Sequence, residues 1–186
     1  MIAVESKLKL ISSDIFQSDI SYKPKSDLSQ RETIIKMRDL PVDIDFDIKT
    51  NKDGSLFVFS NVQINAHNDA DFGYSIFVAG ITVFTFAEGT DEDEKKSLIG
   101  SAVNISITNL RNYISNATSY YPLGSFSFHS IDMKALFEAK AGEKKEQQKK
   151  NGPVDQEFFD DEYKNWTKQH LQMTFCIRAG RSLDSP

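Results

Sequence analysis

From Val42 to Ile48 the chain alternates without a break: Val42, Ile44, Phe46 and Ile48 at every second position, with Asp43, Asp45 and Asp47 between them. Successive side chains of a strand point to opposite faces, so extended backbone puts four apolar groups on one side and three carboxylates on the other; a helix would scatter both sets. The segment reads as a half-buried strand whose apolar side needs cover. Lys52-Asp53-Gly54-Ser55 then supplies turn chemistry, because Gly accepts positive φ without steric cost. A second extended run follows over 56–66, with Leu56, Val58, Val62, Ile64 and Ala66 on one face. Phe57 and Phe59 open its other face before Asn61, Gln63 and Asn65 continue it. Beyond a loop at 68–73, a third run over 74–87 is apolar on both sides: Tyr74, Ile76, Val78, Phe84 and Phe86 on one, Phe77, Ala79, Ile81 and Val83 on the other. Such a strand wants cover on both faces.

The pattern then changes period. Thr90 with Asp93 three residues on has the form of a capping box, and Asp91, Glu92, Asp93 and Glu94 fall where carboxylates oppose a helix dipole favourably. The acidic run therefore reads as a helix start, not a metal site. Ile99, Val103, Ile107, Leu110, Ile114 and Ala117 recur at spacings of 4, 4, 3, 4 and 3, one apolar stripe on a 3.6-residue period. Val103 to Thr108 also alternates like a strand and is rich in β-branched residues, a local conflict with that assignment. Pro122 and Gly124 stop the helix; Phe126 and Phe128, alternating with Ser125 and Ser127, read as a short strand. Asp132 can cap a second helix whose apolar edge is Met133, Leu136 and Phe137. Residues 141–152 are a charged linker or helix end, and 153–186 an aromatic extension. Within it Phe159, Tyr163, Trp166 and His170 suit an amphipathic helix, and Leu171, Met173, Phe175 and Ile177 a strand. That aromatic area is expected to cover apolar surface.

Composition narrows the function. Lys and Arg number 22 against 27 Asp and Glu, a formal charge of −5, which argues against nucleic acid because phosphate neutralisation needs a basic stripe. No apolar stretch approaches the roughly 18 residues of a membrane span, and Glu5, Lys7 and Lys9 interrupt the N-terminal apolar residues, so a cytoplasmic protein without membrane insertion is expected. The single cysteine, Cys176, reads as a small buried hydrophobe. A phosphate-binding loop and a Gly-x-Ser-x-Gly elbow are both missing. His67, His129 and His170 have no metal-ligand spacing. Asp69 and Asp71 resemble the start of a calcium loop, but its twelfth position is Gly80. No enzyme, cofactor or metal is expected.

Several segments, in order, resemble the SecB export chaperones. Ile15 to Pro24 (IFQSDISYKP) looks like that family's first strand, and Val42 to Asp47 like its alternating aliphatic and Asp strand. Gly80-Ile81 with Glu88-Gly89 resembles its third strand. Arg111-Asn112-Tyr113-Ile114, closing the long helix, and the run from Pro122 to Ala135-Leu136-Phe137 resemble its final elements. The likeness spans about residues 8–140, and 1–140 is read as a SecB-like chaperone domain.

The resemblance implies an α+β fold, a four-stranded antiparallel sheet with helices packed on one face, assembled as a homotetramer built from two dimers. It implies an ATP-independent holding chaperone for unfolded precursor polypeptides, in the export branch handing them to the motor SecA; the alternative is an adaptor dedicated to one partner, such as an antitoxin. By position it assigns client binding to Val42, Ile44, Phe46, Met133, Leu136 and Phe137, and the core or tetramer seam to Ile99, Val103, Ile107 and Leu110. Asp19 keeps one carboxylate of the family's SecA-docking surface, but Lys23 and Ser75 stand at two further acidic positions, which makes SecA a doubtful receptor. The family's short C-terminal tail has no counterpart in residues 141–186.

Overall fold

The computed structural model describes residues 5–66 and 70–150, with side chains through Glu143. The readings that fall on His67, Asp69, Phe159, Tyr163, Trp166, His170, Leu171, Met173, Phe175, Cys176 and Ile177 lie outside the described residues. The chain forms two compact units, Met1–Phe137 and Glu138–Pro186. In the first, β1 (Leu8–Lys23), β2 (Val42–Thr50), β3 (Leu56–Ile64) and β4 (Gly73–Phe86) make one antiparallel sheet in the order β1-β4-β3-β2. Helix α1 (Gln30–Arg38) lies in the crossing from β1 at one edge to β2 at the other, and α2 (Glu92–Thr118) follows β4. Helix α3 (Met133–Lys150) begins in this unit and continues into the second, where Lys140 and Glu143 pair at 3.8 Å.

The alternation of the sequence becomes the two faces of this sheet. Leu56, Val58, Ser60, Val62 and Ile64 of β3 and Tyr74, Ile76, Val78 and Phe84 of β4 are all buried, and they pack with the α2 residues Ala102, Val103, Ile107, Leu110 and Ile114. Full burial of each large side chain stabilises by about 1.5–3 kcal/mol, so this layer is the main source of cohesion. Gly80 lets the helix come close: a Cβ there would lie 2.9 Å from the Asp14 carbonyl oxygen and 3.1 Å from Leu110 Cδ2. On the opposite face of β4, Ala79 and Ile81 are also buried, while Phe77 and Val83 beside them are half-buried.

The conflict within Val103–Thr108 resolves as helix. The buried hydroxyls are satisfied within the helix: Ser106 Oγ donates to the Ala102 carbonyl at 2.9 Å and Thr118 Oγ1 to that of Ile114 at 2.7 Å. Two readings need correction. The cap of α2 is Asp91, whose carboxylate accepts from the Glu94 amide at 2.8 Å; Thr90 instead donates its hydroxyl to the Ala87 carbonyl. Phe126 and Phe128 are buried and alternate with exposed serines, yet form no strand. Their segment packs by side chains: Phe126 meets the Tyr74 ring, the Arg111 guanidinium lies 4.7 Å from the centre of Phe128, and Tyr74 Oη donates to the Gly124 carbonyl at 2.8 Å. Helix α1 went unread. Its signal was Ser29-Gln30-Arg31-Glu32, which forms a reciprocal capping box.

Candidate functional site

Strand β2 is an outer strand of the sheet, bonded to β3 along one side from Val42 opposite Ile64 to Thr50 opposite Leu56. Among the described residues no strand pairs with its other side. Phe46 is 5% exposed; Val42, Ile44 and Ile48 are half-buried against the core. The turn at 51–55 fixes this register, with the Gly54 amide donating to the Asn51 carbonyl at 3.0 Å and the Asn51 amide to that of Ser55 at 2.9 Å; Gly54 has φ +82°.

The first turn of α3 comes to the same place. Asp132 Oδ1 accepts from the Ala135 amide at 3.1 Å, which caps the helix as its sequence suggested. Met133, Leu136 and Phe137 are half-buried on the core, and the Phe137 ring meets Phe46 edge-on with centroids 5.0 Å apart. Two segments far apart in sequence thus form one apolar strip beside an outer strand. The Phe46 amide donates to Asp45 Oδ1 at 2.8 Å. An amide held by its neighbour's carboxylate is turned from β3, and ladder groups alternate in direction, so Ile44, Phe46 and Ile48 present their backbone to the outer side. Asp43 and Asp45 are exposed on the opposite face of the strand. The site offers apolar contact and edge hydrogen bonding, with carboxylates alongside.

The long-helix residues behave differently. Val103, Ile107 and Leu110 are 0%, 1% and 2% exposed under the sheet of their own chain, so the protomer core accounts for them, and only Ile99 is half-exposed. Of the two places that the resemblance allowed, core or seam, these three lie in the protomer core. Asp19 is exposed on the outer face, opposite Phe77 in the β1–β4 ladder, with Asp14 opposite Ile81. Lys23 stands opposite Gly73.

Sequence reading missed the other edge. β1 carries register shifts between Leu10 and Ser12 and between Ile15 and Gln17, which leave Ile11 and Phe16 as the extra residues. Leu10, Ile11 and Phe16 are 51%, 63% and 47% exposed. Bulges at an edge raise local twist and hinder pairing with further strands. The signal was the two residues breaking the alternation of an otherwise polar strand. His129 Nε2 lies 3.2 Å from the Arg38 carbonyl at the end of α1. Among the described residues no group of three or more His, Cys, Asp or Glu could hold a metal ion, and no helix is long and apolar enough to cross a membrane.

No family model and no curated protein matches the sequence. Among solved structures, the chain is similar to the SecB-like chaperone Rv1957 of Mycobacterium tuberculosis in complex with a ChAD peptide from the Rv1956 HigA1 antitoxin. The likeness is distant. It has a TM-score of 0.44 at 12% identity and covers 67% of this chain and 91% of that one.

Proposed function

We propose that the protein is an ATP-independent holding chaperone that grips non-native polypeptides along the outer side of β2. The observation that carries this reading is the strip of Val42, Ile44, Phe46 and Phe137 beside a strand whose second side has no partner strand among the described residues. An extended client gains main-chain hydrogen bonds there without a sequence-specific fit, and apolar contacts with Val42, Ile44, Met133 and Leu136 add to them. Holding then works by mass action on the unfolded state, with no nucleotide needed.

The resemblance to SecB extends the proposal to a cytoplasmic homotetramer, a dimer of dimers, that holds precursor polypeptides for export. Asp19 is the one exposed carboxylate retained for a SecA contact. Sedimentation checks the assembly. The function is tested by aggregation of a chemically denatured model protein without ATP: suppression is expected, and its absence at several-fold molar excess overturns the proposal. Ile44→Asp should abolish most of that suppression while the chain stays folded. A pull-down that returns one stoichiometric protein, instead of many, makes the chain an adaptor dedicated to that partner.

A further inference from the structure

The two outer strands of the sheet differ in regularity. β1 is interrupted by register shifts between Leu10 and Ser12 and between Ile15 and Gln17, whereas β2 pairs residue for residue with β3 from Val42 to Thr50. A regular edge is a template for any passing strand, and proteins blunt such edges with bulges, cover or charged side chains. β2 has the charges. Asp43, Asp45 and Asp47 stand one residue ahead of Ile44, Phe46 and Ile48, whose backbone faces the outer side. The period of two that gives the strand its polar face therefore also sets a carboxylate next to each outward amide. At the centre of the strand the contact is made: Asp45 Oδ1 accepts from the Phe46 amide at 2.8 Å, with the Asp45 side chain exposed and that of Phe46 buried.

We infer that Asp45 is a restraining residue of the client edge: its carboxylate occupies the Phe46 amide in the resting chain, and a client strand has to displace it to pair across Phe46. The consequence for clients rests on the holding-chaperone reading; the held amide does not. An incoming carbonyl reaches that amide only from the side the carboxylate fills, and an ionised acceptor is a stronger competitor for the donor than a neutral one. Every client that covers Phe46 meets the same cost. Holding is therefore looser, and release easier, than a bare edge would give. Three substitutions separate the bond from the charge. Asp45→Ala removes the acceptor, and Asp45→Asn keeps an acceptor oxygen one residue ahead of the amide without the charge. Asp43→Ala removes a charge from the same exposed face and leaves the Phe46 amide held.

The probe is a dye-labelled peptide of alternating Val and Thr, blocked at both ends so that client charge plays no part, and its binding to the full chain is read by fluorescence anisotropy. Asp45→Ala should bind it about fivefold more tightly than the wild-type chain, and Asp45→Asn and Asp43→Ala less than about twofold more tightly. No gain in Asp45→Ala, or an equal gain in either of the other two, overturns the inference. Hydrogen exchange of the Phe46 amide, followed by NMR in the full chain isotope-labelled at phenylalanine, needs no client. Its protection, measured against the unfolded rate of the same sequence, should fall about fivefold in Asp45→Ala and be largely kept in Asp45→Asn. Unchanged protection in Asp45→Ala also overturns the inference. If protection falls as expected but neither the wild-type chain nor any variant binds the peptide or suppresses aggregation, the restraint on the amide stands and the chaperone proposal fails.

Discussion

Replacing Phe46 by Ala tests whether the β2 strip is held in place by its contact with α3 or is only loosely apposed. The ring is 5% exposed and meets Phe137 edge-on at 5.0 Å. Truncating a ring so deeply buried costs about 3–5 kcal/mol. Ser60, across the ladder, has a buried hydroxyl without a hydrogen-bond partner among the described residues, so solvent entering the vacated space offsets part of the loss and favours the lower end. Phe137 is half-buried, and Phe137→Ala should cost about 2 kcal/mol. The double variant isolates the ring–ring contact, with an expected coupling of about 0.5–1.5 kcal/mol. Urea unfolding followed by far-UV circular dichroism is the assay, because the only Trp, Trp166, lies outside the described residues. With a slope of about 1.5 kcal/mol per molar urea, Phe46→Ala lowers the midpoint by about 2 M. A loss below about 1 kcal/mol, or strictly additive single variants, refutes the packed strip.

Gly80→Ala pushes a methyl against the Asp14 carbonyl and Leu110, and should destabilise by about 1–3 kcal/mol; an unchanged melting temperature would show that α2 does not lie so close. Hydrogen bonds from the Ser29 hydroxyl and backbone amide hold the Glu32 carboxyl below its usual range. Its contribution to the α1 cap is therefore complete above about pH 4.5 and is lost as pH falls through the lower native value, and Ser29→Ala should cost about 1 kcal/mol at neutral pH and shrink this acid dependence, read by unfolding at pH 3 to 7. Burial pushes the Tyr74 hydroxyl above its usual value of 10. Once pH passes that value the unfolded chain loses this proton before the native one does, so stability falls; Tyr74→Phe should flatten this alkaline limb and cost about 1 kcal/mol at pH 7 by leaving the Gly124 carbonyl unpaired. An identical alkaline limb in both proteins would refute the assignment.

The strands from Val42 to Phe86 and the stripe of α2 were legible because each is written locally, in a period of two or of 3.6 over many residues. Asp132 was legible as a cap for the same reason. Where two local signals competed, sequence alone decided poorly. Thr90 and Asp91 both suit a cap, and only the path of the backbone after Ala87 aims Asp91 at the free amide of Glu94. Phe126 and Phe128 alternate as a strand would, but a strand also needs a neighbour with unpaired backbone, and their segment packs by side chains instead.

The sequence by itself determined which face of β2 and of β3 is apolar, since a side chain's direction follows from backbone geometry within a few residues. It also determined the apolar stripe that the long helix turns to the sheet. Only the tertiary structure decided that β1 and β2 are the outer strands, that Phe137 meets Phe46, and that Val103, Ile107 and Leu110 are buried under the sheet of their own chain. The physical reason is that being at an edge or in the interior is a relation between segments far apart in the chain. It depends on which strands find each other, and the same alternation suits both places.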